Sequence, residues 1–163
     1  MYDPATALNG TEAVFAAHPD NGAVKALSAL ATDAKYDRAE LSITVARENV
    51  IAACQAAQQA GYNFFETVTA VDWYPSEPRF QITYHILSHS LKQRLRLVVR
   101  LNGEDPSIDS IVTVWPSANF YEREVFDLFG VHFGGHPNLR RIMMPEDWNG
   151  HPLRKDYPVE GYR

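Results

Sequence analysis

An α+β domain followed by an irregular C-terminal extension is what this 163-residue sequence predicts. Three observations carry the prediction. Apolar residues recur at helical spacing over 22–33, 47–60 and 117–129, strict alternation marks a hairpin between Phe80 and Leu101, and periodicity vanishes after Gly130. A chain of this length is expected to form one domain, burying roughly 70% of the surface that its unfolded form exposes.

Residues 1–20, rich in Ala, Asn, Gly, Thr and Pro, read as a loosely ordered lead-in with room for a short helix and little function. Val24, Leu27 and Leu30 among alanines predict a helix over 22–33, and Leu41, Ile43 and Val45 alternate as a strand over 40–46. Over 47–60, Val50, Cys54 and Ala57 share one helix face, and Gly61 supplies a residue that tolerates the left-handed stop. Residues 64–73 read as a strand that Pro75-Ser76-Glu77-Pro78 brings to an end. Phe80, Ile82, Tyr84 and Ile86, returning through Leu95, Leu97, Val99 and Leu101, form a long antiparallel hairpin with one wet face. Residues 111–114 read as a candidate short strand. Pro116 then suits the first turn of a helix whose Tyr121, Val125, Leu128 and Phe129 form one stripe, ended by Gly130. Four prolines in the 33 residues beyond imply extended, turn-rich backbone. The plan is therefore a lead-in over 1–20, a domain over 21–130 and a tail over 131–163.

Lys and Arg number 15 and Asp and Glu 20, a formal charge of −5, which argues against nucleic acid or an anionic membrane as the main partner. Cys54 stands alone, so neither an intrachain disulfide nor a self-contained four-cysteine iron–sulfur cluster is open to the chain. Surrounded by alanines, glutamines and aliphatics, it reads as core packing, and a lone thiol fits a reducing compartment. No run approaches the roughly 18 apolar residues of a membrane span, and no signal-peptide pattern opens the sequence, so membrane contact is expected only through a partner.

Residues able to do chemistry gather late in the chain. Glu122, Arg123, Glu124 and Asp127 are expected to share the surface left by the apolar stripe, with Arg123 and Asp127 one turn apart and Arg140 or Arg141 within reach. Catalysis by paired carboxylates would require one of them to be desolvated. Surface carboxylates beside arginines stay ionised, so bracing or an interface role is preferred. His132, His136, His151, Glu146 and Asp147 lie in nonhelical, Pro- and Gly-punctuated backbone, a weak metal pattern. The Lys92, Arg94, Arg96 and Arg100 face reads as a solvated sheet surface that discourages edge pairing. No dinucleotide fingerprint, Walker loop or nucleophile elbow occurs. Arg140, Arg141, Met143, Met144, Trp148, Arg154 and Tyr157 are the residue types that anchor interfaces. A tail carrying them is expected to wrap over a neighbouring protein in preference to packing back on its own domain. Truncation before Gly135 is then expected to leave the hairpin domain folded.

Glu122-Arg123-Glu124, Asp127, Leu128-Phe129, His136 and Arg140, continuing through Arg141-Ile142-Met143-Met144-Pro145-Glu146-Asp147-Trp148 and His151-Pro152-Leu153-Arg154-Lys155-Asp156-Tyr157-Pro158, resemble the signature of the C subunit of the proton-translocating NADH:quinone oxidoreductase, respiratory complex I. The likeness is specific over 120–158 and looser at Thr69-Ala70-Val71-Asp72, Pro78-Arg79-Phe80 and Tyr84-His85; the first thirty or so residues match nothing. The resemblance implies a two-layer domain with a mixed, largely antiparallel sheet, without a cofactor of its own. Its implied place is the peripheral arm on the cytoplasmic face of the bacterial inner membrane. There it would dock on the D-subunit homologue and neighbouring iron–sulfur subunits, while clusters, FMN and quinone stay with the partners. Glu122, Arg123, Glu124, Asp127, His136, Arg140, Arg141, Trp148, Arg154, Lys155 and Tyr157 are the implied bracing or interface residues, with no catalytic residue among them. Related modules in membrane-bound hydrogenases and the chloroplast-type dehydrogenase leave the electron donor open. A stand-alone metal hydrolase using His136, His151 and Glu122 with Glu124 is the competing class, separated by activity or metal in the pure chain.

Overall fold

The computed structural model describes residues 7–161. Its centre is a six-stranded sheet in the order β1-β2-β3-β6-β5-β4, built from Leu8–Asn9, Ala31–Asp37, Glu40–Val45, Phe64–Asp72, Phe80–Ser88 and Gln93–Leu101 as β1 to β6 in chain order. Every neighbouring pair is antiparallel except β3 with β6, where Leu41 stands beside Leu95 and Ile43 beside Leu97. One parallel seam thus joins an N-terminal hairpin to a three-strand meander, giving the mixed, largely antiparallel sheet that the resemblance implies.

Alternation decides which face is dry. Ile43, Phe80, Ile82, Tyr84, Leu97 and Val99 are fully buried on one side, while Ser42, His85, Arg94, Arg96 and Arg100 emerge on the other. Helices α1 (Thr11–Ala17), α2 (Gly22–Leu27), α3 (Val50–Gln59) and α4 (Ala118–Phe129) contribute Val14, Leu27, Val50, Cys54 and Val125 to the same core, which makes two layers. A 3-10 turn, Arg47–Asn49, leads into α3. Cys54 is fully enclosed, and burial pushes its thiol up.

Three expectations are corrected. The helix over 22–33 stops at Leu27, capped at its start by the Asn21 side chain, and Ala31–Asp37 is β2. The strand escapes periodicity because Ala34 is its only buried side chain. The turn that pairs it with β3 is equally hidden. Arg38 and Ala39 hold φ of 53° and 61°, the left-handed geometry that Asn-Gly would have advertised. The short strand lies not over 111–114 but at Ser107–Asp109 (β7), pairing in parallel with an unpredicted β8, His132–Gly134. Lastly, the lead-in has the short helix it had room for, α1, but over residues 7–20 it is not loose, since β1 joins the sheet and Val14 belongs to the core; residues 1–6 lie outside the described residues.

Basic residues on the wet face are locally answered. Arg94 and Arg96 both approach the Glu40 carboxylate, Lys35 pairs with Asp37 at 3.4 Å, and Arg100 lies over the Trp73 ring at 5.6 Å.

Candidate partner-docking site

Helix α4 is the axis on which the tail is organised. Its end is set by Gly130, whose φ of 72° is the left-handed cap and whose amide returns to the Phe126 carbonyl at 2.9 Å. Three further carbonyls would be orphaned there, and the tail supplies a donor to each. Asp127 O accepts from His151 Nδ1 at 2.8 Å and Arg141 Nη1 at 3.2 Å, Leu128 O from the Leu153 amide at 3.0 Å, and Phe129 O from Arg154 Nε at 2.6 Å. Cationic Arg141 and Arg154 at a helix C-terminus also oppose the negative end of its dipole. A Cβ on Gly130 would stand 2.5 Å from the His151 ring, so the close fit admits no side chain.

The Asp127 carboxylate is the principal anchor and is fully buried. Oδ2 accepts from three successive amides, Ile142 (2.9 Å), Met143 (2.7 Å) and Met144 (2.9 Å), and Oδ1 accepts from Arg141 Nη1 at 2.6 Å. Burial alone would push this carboxyl up, but the Met144 amide, Arg141 and the other two amides outweigh it and hold the group below the usual range. Arg141 Nη2 in turn donates to the Trp148 and Gly150 carbonyls, each at 3.0 Å. Arg123 does not pair with Asp127; its Nε and Nη2 donate to the Arg140 and Arg141 carbonyls at 3.2 Å.

Glu122 is buried for a different purpose. It accepts from Ser110 Oγ at 2.6 Å and the Ile111 amide at 2.8 Å, neutral donors only, so desolvation dominates and its carboxyl is pushed up to about 7. His136 Nε2 stands 3.9 Å away and donates to the Asn119 carbonyl at 3.2 Å, because Nδ1 is occupied as acceptor of the Asn138 amide at 3.0 Å. Burial lowers the His136 pKa, which agrees with the neutral ring this bonding requires. Since the folded pKa of Glu122 lies above the unfolded value of about 4.3, folding is favoured below pH 4.3 and the benefit is lost as pH rises through about 7, roughly 4 kcal/mol in all. Glu122→Gln is expected to remove that decline. Urea midpoints at pH 5 and pH 8 should fall further apart for the native chain than for the variant, and equal spacing would contradict the assignment.

A third attachment joins the tail to the sheet. Arg79 grips Asp72 with Nε and Nη2 at 2.9 and 2.8 Å, and Asp156 with Nη1 and Nη2 at 2.9 and 2.7 Å, while Asp72 also accepts the Tyr74 and Lys155 amides. Burial raises the Asp72 carboxyl, but Arg79 and the two amides prevail and bring it down to about 2.

The expected site is thereby redrawn. Glu122, Arg123 and Asp127 are not surface groups but buried braces; Glu124 alone of the four is exposed. The backbone of the tail finds its partners within the chain, so the folding-back of the tail on its own domain, the less favoured alternative, is what this stretch does. Val131 and Phe133 enter the core itself. Truncation before Gly135 would uncover the α4 carbonyls, Arg123 and Asp127. His136, Arg141 and Arg154 are braces, Lys155 acts through its amide, and the Tyr157 hydroxyl reaches the Asn149 carbonyl at 3.4 Å. Arg140 and Trp148 face solvent. Asp72, Arg79 and Asp156, quoted only as part of the resemblance, and Ser110 were not among the expected bracing or interface residues, although opposite charges flanking the Pro75 to Pro78 turn were a usable signal for the first two. Among the described residues no group of three His, Cys, Asp or Glu is placed to hold a metal.

Among the side chains that the braces leave outside are large apolar ones: Phe120, Met143, Leu153, Ile142 and Trp148 are 62, 64, 50, 39 and 39% exposed. Large apolar side chains displayed on a hydrogen-bonded scaffold are the kind of surface that protein interfaces use. A family model described as respiratory-chain NADH dehydrogenase, 30 Kd subunit, matches residues 43–163, from within β3 to the end of the tail. The chain belongs to that family. Among relatives of this 30 kDa family, the C subunit of the NADH-quinone oxidoreductase of Geobacter sulfurreducens is 50% identical over 131 residues, covering 79% of this chain and 81% of the relative. A trypsin-resistant fragment of Nqo5 superposes with a TM-score of 0.58 at 32% identity, over 61% of this chain and 83% of that one. A chain of the membrane-bound sulfane sulfur reductase, an archaeal respiratory membrane complex, reaches a TM-score of 0.73 over 83 and 82% of the two chains, and at 24% identity it shares the fold.

Proposed function

We propose that this chain is a non-catalytic component of an NADH:quinone oxidoreductase, holding redox-bearing partners in register while electrons pass from NADH to quinone. The observation that carries the proposal is the Asp127 anchor. Four hydrogen bonds to one buried carboxylate fix a tail whose apolar side chains point outward, and the family match spans the same tail. The D-subunit homologue and adjacent iron–sulfur subunits are the partners we assign to it, with clusters, FMN and quinone bound by them. Its place is the cytoplasmic face of the bacterial inner membrane, reached through the complex; no described helix is long and apolar enough to cross a membrane. Relatives named for NADH and quinone at 43 to 50% identity favour that donor over a hydrogenase-type assembly.

The chain is expected to co-purify from detergent-solubilised membranes in a large iron–sulfur complex that oxidises NADH. A complex that carries the chain but reduces quinone from another donor would move it to a related assembly, and a chain recovered alone would refute the proposal.

A further inference from the structure

The two edges of the sheet are unequal. One ends in β1, only two residues long; the other is β4, nine residues with no lysine and no proline, whose Thr67, Val68, Thr69 and Val71 are strong strand formers. Among the described residues the backbone over 65–71 bonds to β5 and to nothing else, apart from a 3.4 Å contact from the Thr67 hydroxyl to the Val68 carbonyl. Every second residue of an edge strand aims its N–H and C=O outward. Beside this strand lies a groove of about 270 Å³ lined by residues 67–70, by Glu124, Val125 and Leu128 of α4 and by Leu153 of the tail.

Charge selects the occupant. Glu66 on the strand and Glu124 on the groove's rim are exposed, and neither forms an ion pair with a lysine or arginine among the described residues. We infer that β4 is completed in the assembly by an extended segment of another protein of the complex, which adds a seventh strand, sets apolar side chains into the groove and brings lysine or arginine to Glu66 and Glu124. Main-chain pairing supplies affinity and the two carboxylates set direction and register. The inference rests on the reading of the chain as part of a larger assembly, and adds a second attachment that meets the exposed ridge of the tail at Leu153.

Hydrogen exchange of the full chain, alone and in the purified complex, tests it. Amides over 64–72 are expected to exchange at least about tenfold more slowly in the complex. The double substitution Glu66→Lys with Glu124→Lys, at two exposed positions, should abolish that slowing without changing the melting of the isolated chain. Slowing over 142–153 without slowing over 64–72 overturns the inference and leaves the proposed function standing. No slowing in either segment overturns both. Slowing over 64–72 that appears in the isolated chain as its concentration rises assigns the edge to a second copy and also overturns the inference.

Discussion

Asp127→Ala is expected to detach the tail from α4 and to cost about 3–5 kcal/mol, the range for leaving buried charge-assisted hydrogen bonds unmade. The side chain is fully buried, and its removal strands three successive amides, at Ile142, Met143 and Met144, together with the Arg141 guanidinium. Water cannot easily replace an acceptor enclosed by helix and loop. The denaturant midpoint should fall sharply, and limited proteolysis should cut first between residues 140 and 150, because the anchored segment is the one released. Arg141→Ala offers a scale. Its carbonyl partners at Trp148 and Gly150 lie nearer the surface and can turn to water, so its loss should cost less than that of Asp127. Equal costs for the two, or a native-like midpoint for Asp127→Ala, would mean that the carboxylate is not the anchor.

Arg79→Ala is expected to be comparably damaging, for a reason that its two carboxylates separate. Asp72 has 1% of its side chain exposed and would be left as a buried charge facing only two amides; Asp156, 43% exposed, would turn to solvent. Breaking a buried pair from one side costs about 3–5 kcal/mol, whereas an exposed pair contributes about 1 kcal/mol or less. Asp156→Ala should therefore be mild and Arg79→Ala severe, which calorimetry of the two variants would rank. Acid provides an independent check. The Asp72 carboxyl, held at about 2, lies below its unfolded value, so its contribution is present above pH 4 and is lost as pH falls towards 2. Without Arg79 that acid limb should flatten.

The meander and α4 were legible because each places large apolar residues at the period of its element: Phe80, Ile82, Tyr84 and Ile86 along β5, and Tyr121, Val125, Leu128 and Phe129 along α4. Strand β2 was not, since one buried alanine carries no signal and its left-handed turn uses Arg38 and Ala39. The acidic residues of α4 were placed on the surface by elimination from the apolar stripe. Helical geometry puts Glu122 and Asp127 near the flanks of that stripe, where the segment before α4 meets Glu122 and the folded tail meets Asp127. Four of their partners are backbone amides, to which any residue type contributes alike, and beside these only the Ser110 hydroxyl and the Arg141 guanidinium are side chains that the sequence could have offered. Exposed anchors such as Met143 and Trp148 were recognisable by type, but what fixes them in place was not.

The capping of α4 by residues 141–154 also has a consequence in time. Synthesis runs from the N-terminus, so the sheet and α4 leave the ribosome with the last helix carbonyls, Arg123 and Asp127 still unanswered. The parallel β3–β6 seam, whose Leu41 and Leu95 are far apart in sequence, can close before then; the cap cannot. A released chain that ended between Gly130 and Arg141 would carry an unsatisfied helix end, with Asp127 and the last α4 carbonyls lacking the donors that the tail brings. Only the arrival of residues 141–154 completes the last turn of that helix.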